Sequence, residues 1–115
     1  MRFRALVMAA GAACLFAGVA HADPIEGRWK TQSGATAQIA PCGASFCITL
    51  KSGEHSGKRI GTMTASGDNR YTGDITDPKT DKTYSGKASI SGATLKMSGC
   101  VLGGLFCRSQ SWSKM

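Results

Sequence analysis

The chain has 115 residues, a net charge of +7, 42% hydrophobic residues, 15 glycines, five cysteines and seven acidic side chains. That length holds one domain, and its body has no apolar run near the roughly 18 residues of a bilayer-spanning helix, which excludes a polytopic helical membrane protein. Basic residues are dispersed, with only Lys58-Arg59 contiguous, so the charge implies no nucleic-acid partner and reads either as mild attraction to anionic envelope surfaces or as solubility alone.

Residues 1–22 read as a secretory leader. Arg2 and Arg4 start it, Ala5 to Val19 form its apolar centre, and Ala20-His21-Ala22 places small residues where a cut after Ala22 needs them. The segment is short for a membrane anchor. A lipoprotein reading at Cys14 fails because Gly11-Ala12-Ala13 precede it, without a large aliphatic residue. Removing 22 residues from 115 leaves 93, and losing Arg2 and Arg4 lowers the charge from +7 to +5. The remaining domain, 23–115, buries about 60–65% of its unfolded surface, a thin margin for a core alone. Export with an even set of four cysteines predicts two disulfides and a periplasmic or secreted location.

Along 23–115 no long stretch shows a helical apolar stripe, and turn residues recur every several positions. Eight strands are predicted: Ile25–Thr31, Thr36–Ala40, Ser45–Lys51, Ile60–Ala65, Tyr71–Thr76, Thr83–Ile90, Thr94–Gly99 and Leu105–Lys114. Connections this short join antiparallel neighbours, so the fold class is all-β, a small eight-stranded up-and-down barrel. Alternation puts Ile48, Leu50, Leu95 and Met97 inward. Phe106, Arg108, Gln110 and Trp112 share one face of the last strand, where Arg108 either snorkels or lies over an indole.

Of the three possible cysteine pairings, spacing favours Cys42–Cys47 and Cys100–Cys107. If Gly103-Gly104 forms a two-residue turn, Leu102 faces Leu105, Val101 faces Phe106 and Cys100 faces Cys107, within disulfide reach. Neither a zinc site nor a redox motif fits, since four and six residues separate the paired cysteines and no CxxC is present. No metal or cofactor is expected.

Gly27-Arg28-Trp29 on the first strand, with Arg108 on the last, is similar to the calycin arrangement, in which a Gly-x-Trp indole packs under an arginine and closes one barrel end. More fully, the chain resembles the small exported bacterial proteins called domain of unknown function 2147. The resemblance rests on Pro24 to Thr31, Cys42-Gly43 with Cys47, Asp77-Pro78 leading to Lys82-Thr83-Tyr84-Ser85-Gly86, and Arg108-Ser109-Gln110-Ser111-Trp112. It departs at a shorter 52–58 loop, at Asp81 in place of glycine, and at Cys100 and Cys107. The resemblance implies the calycin-like barrel and the exported location, closed structurally by Gly27, Trp29, Arg108 and Trp112, and brings no activity with it.

Enzymatic function is not expected. His55 between Glu54 and Ser56 suggests a triad, but a lone histidine in a Gly/Ser-rich loop reads as solvated. Asp77 and Asp81 read as turn chemistry, Asp77 capping backbone amides. Two non-enzymatic classes remain for a monomer. One holds a small or lipophilic ligand in the barrel mouth, provided that Trp29, Phe46, Met63, Ile90, Leu95, Met97 and Trp112 do not fill the interior. The other is a protein-interaction module in the envelope, such as a hydrolase inhibitor, using Val101, Leu102, Leu105 and Phe106 as an apolar finger. Packing of those four against the barrel end is the favoured expectation, and a net positive chain favours an acidic target over a basic one.

Overall fold

The computed structural model describes residues 23–115, so the leader and its cut after Ala22 lie outside the described residues. Eight strands form where alternation and turn chemistry place them: β1 Gly27–Lys30, β2 Thr36–Cys42, β3 Ser45–Leu50, β4 Arg59–Gly67, β5 Arg70–Thr76, β6 Thr83–Ser91, β7 Thr94–Val101 and β8 Phe106–Lys114. Each pairs antiparallel with the next, and β8 returns to β1 to close the barrel. The fold is thus the expected all-β up-and-down barrel. No helix among the described residues is long and apolar enough to cross a membrane.

The first strand is shorter than its alternation suggests. Asp23 to Glu26 turn back on themselves: the Glu26 amide donates to the Asp23 carbonyl at 2.9 Å, and the Asp23 carboxylate accepts the Ile25 amide at 3.0 Å. This segment lies at the end of the barrel that also carries the tight turns β2–β3, β4–β5 and β6–β7. Longer loops gather at the other end, at 31–35, 51–58, 77–82 and 102–105. That asymmetry makes one end closed and the other open.

Inward side chains fill the closed half. Ile25, Trp29, Ile39, Ile48, Met63 and Leu95 are fully buried, Met97 and Trp112 nearly so, and Phe46 and Ile90 pack partly buried against them. Two glycines let β4 and β5 coil tightly, as a close backbone approach requires. A Cβ on Gly61 would stand 2.8 Å from the Asp74 carbonyl oxygen, and one on Gly73 would overlap the Thr62 carbonyl. A register shift after Ile48 in the β3–β4 ladder accompanies the burial of Ile60 at the start of β4.

Candidate functional site: a half-open barrel

At the closed end, the Trp29 indole N–H donates to the Ile25 carbonyl at 2.9 Å, tying the plug segment to the barrel floor. The cation over that indole is Lys114, whose Nζ lies 4.6 Å from the ring centroid and donates to the Glu26 carbonyl at 2.7 Å. Arg108, the expected partner of Trp29, is elsewhere. Trp29 is in register with Lys114 across the β1–β8 seam, whereas Arg108 pairs with Gly99, six residues back along a strand rising about 3.4 Å per residue. The β8 face that carries Trp112 continues to Lys114, so the closing cation is the last residue of that face, exposed at the barrel end. Tyr71 completes this end by donating its hydroxyl to Asp23 Oδ1. Burial, then that carboxylate, hold its phenol well above the ordinary tyrosine range.

Toward the open end the interior is unfilled. A cavity of about 820 Å³ opens between a floor of Trp112 and Met97 and a rim formed by Asp77, Pro78, Val101 and Phe106. Ile60, Ile75 and Tyr84 supply much of the wall, with Arg108 and Gln110 from β8. Gln110 is committed to the floor, since its Oε1 accepts the Trp112 indole N–H at 2.9 Å. Arg108 has neither a hydrogen-bond acceptor nor an ion-pair partner among the described residues. Thus the interior is neither wholly filled nor wholly open.

The lip of the cavity carries a disulfide-bound hairpin. Cys100 bonds Cys107 with Cα atoms 4.1 Å apart, and Cys42 bonds Cys47 with Cα atoms 5.7 Å apart. Cys100 faces Cys107 and Val101 faces Phe106. Gly103 and Gly104 form the two-residue turn at φ of 65° and 94°, closed by the Leu105 amide on the Leu102 carbonyl at 3.2 Å. The ladder nevertheless stops at Val101 and Phe106, because Leu102 itself takes a left-handed φ of 52°. The tip does not pack against the barrel end as expected: Leu102 is 71% exposed, Leu105 74% and Phe106 60%.

Lys58 pairs with Asp81 across the open end and donates to the Pro78 carbonyl at 3.4 Å, linking loops 51–58 and 77–82. Asp81 has a φ of 60°, the conformation for which a glycine is suited. The Asp77 carboxylate accepts the Lys79 amide at 2.8 Å, as turn chemistry predicts. His55 departs from its expectation. It is half-buried rather than solvated, and its Nε2 is shielded without a hydrogen-bond partner. Glu54 and Ser56 are exposed and form no hydrogen bond with it, so the three do not assemble as a triad. No group of His, Cys, Asp or Glu among the described residues is arranged to hold a metal ion.

Residues 55–114 match the bacterial family described as Uncharacterized protein conserved in bacteria (DUF2147). The chain belongs to the DUF2147 family. The match covers β4 to β8 and with them every residue that lines the larger cavity, together with Lys58, Asp81 and Lys114. The Gly27-Arg28-Trp29 and Cys42–Cys47 segments lie before it. No curated protein and no solved structure matches this DUF2147 chain.

Proposed function

We propose that this DUF2147 protein is a non-enzymatic binding protein of the bacterial cell envelope that takes a small lipophilic ligand into the open half of its barrel. The cavity of about 820 Å³ carries the reading. Its size is that of small-molecule sites, which span about 300–1,000 Å³, and its apolar walls with few polar groups follow their usual chemistry. Two disulfides and the leader-like residues 1–22 support an exported, oxidising location.

Trp112 makes the reading measurable. The protein has two tryptophans; Trp29 is sealed in the closed end and Trp112 floors the cavity. A neutral apolar dye such as N-phenylnaphthylamine should quench the Trp112 emission and become fluorescent, and Trp112→Phe should abolish the quenching. Native mass spectrometry of protein taken from the periplasm should show the ligand-bound mass on a monomer. Absence of dye binding by the folded protein would refute the cavity reading.

A second reading is favoured by the exposure of Leu102, Leu105 and Phe106 at the lip. Held by Cys100–Cys107, these side chains form a preorganised apolar finger suited to a protein partner such as an envelope or secreted hydrolase with an acidic surface. Replacing both Leu102 and Leu105 by Ser should abolish capture of that partner while leaving dye binding intact. Loss of dye binding without loss of partner capture would return the finger to the ligand site.

A further inference from the structure

Arg108 stands where a barrel normally presents an apolar side chain. Its strand alternates Phe106, Arg108, Gln110 and Trp112 along the cavity, and all four line it. Its register partner Gly99 offers only backbone, and the wall beside that glycine is apolar, with Ile75 Cγ2 3.1 Å from where a Gly99 Cβ would stand. A guanidinium there has five donors and no protein acceptor among the described residues. The carboxylate in the same lining, that of Asp77, is engaged by its own turn through the Lys79 amide.

We infer that Arg108 is an anion subsite within the cavity, and that the ligand class is an amphiphile with a single carboxylate and an apolar chain. This rests on the ligand-cavity reading above. A planar two-oxygen carboxylate matches the guanidinium fork, which a point charge does not. One charge is favoured over two because Arg108 is the sole cation in the lining, while Asp77 at the rim repels a second negative group. The chain of the amphiphile packs on Ile60 and on the floor formed by Met97 and Trp112, with the headgroup held nearer the rim by Arg108 on the same strand as Trp112.

The test compares laurate, dodecanol and dodecylamine, which share a chain and differ in headgroup, as competitors of the neutral dye on the full protein. Laurate is expected to displace the dye about 10-fold more tightly than dodecanol, the low end of the range for a hydrogen bond to a charged group, because Arg108 is exposed at the open end, and dodecylamine least tightly. Arg108→Gln should bring the laurate-to-dodecanol affinity ratio down to about one. Arg108→Lys, which keeps the charge without the fork, should retain part of that preference. Equal binding of laurate and dodecanol by the unmodified protein overturns the anion subsite and leaves the cavity reading standing. Failure of all three to bind, with the dye also excluded, overturns both. Should Arg108→Gln lose dodecanol as well, the unmodified protein's headgroup ratio and the Lys variant decide.

Discussion

Replacing Lys114 with alanine removes two contacts at once, and both are measurable on the folded barrel. The ammonium lies 4.6 Å from the Trp29 ring centroid, a cation–π pair contributing about 0.5–1 kcal/mol at an exposed site. Its 2.7 Å bond to the Glu26 carbonyl contributes about another 0.5–1 kcal/mol. Lys114→Ala should therefore lower stability by about 1–2 kcal/mol. With a urea slope of about 1 kcal/mol/M for a domain this small, the midpoint falls by about 1–2 M. Lys114→Met, which keeps the stem over the indole and removes the charge, should lose roughly half of that. Arg108→Ala, at the far end of the same strand, should stay within about 0.5 kcal/mol of the parent. Paired urea titrations followed by Trp29 emission, with Trp112→Phe as background, read all three variants. An unchanged midpoint for Lys114→Ala beside a lowered one for Arg108→Ala would refute the assignment of the closing cation.

Gly73→Ala should cost about 1–3 kcal/mol and lower the thermal midpoint, because its Cβ has no room against the Thr62 carbonyl. Tyr71 has its phenol pKa raised by burial and by Asp23, so its contribution is complete below the ordinary tyrosine value near pH 10 and is lost as pH rises above it. Urea midpoints measured across that alkaline range should drop in the parent protein and drop less in Tyr71→Phe. Cys100→Ser with Cys107→Ser should destabilise by about 2 kcal/mol, the loop-entropy value for so short a ring, while the β7–β8 ladder persists by circular dichroism.

Most of the barrel was legible in the sequence because its signals are local. Turn residues punctuate eight alternating segments, and Gly103-Gly104 fixes the register that brings Cys100 to Cys107. Less legible were features that depend on how distant strands meet. Arg108 was drawn to Trp29 by its place on the last strand, yet the β1–β8 register puts Lys114 there, and alternation carried two residues past Trp112 would have found it. The Asp23 to Tyr71 contact joins residues 48 apart and has no local signature. Cavity volume also escapes sequence, since the same side chains fill or line an interior according to how tightly strands such as β4 and β5 coil. Exposure of the hairpin tip follows from the left-handed turn at Leu102, a residue that does not advertise that conformation.

The seam between β1 and β8 is held by only two registered pairs, Trp29 with Lys114 and Lys30 with Ser113, extended by the Met115 amide on the Arg28 carbonyl at 3.0 Å. Every other pairing joins strands adjacent in the chain, so most of the sheet assembles from short-range contacts at low entropic expense and fast. The ring closes only when the two chain ends meet across the whole sequence of the domain. Neither disulfide spans that junction, for each lies within one hairpin. The barrel therefore behaves as a cuff with a short clasp: amide exchange should begin at Arg28 and Lys30, and the sheet can unroll there while its seven hairpin connections and both sulfur bridges stay intact.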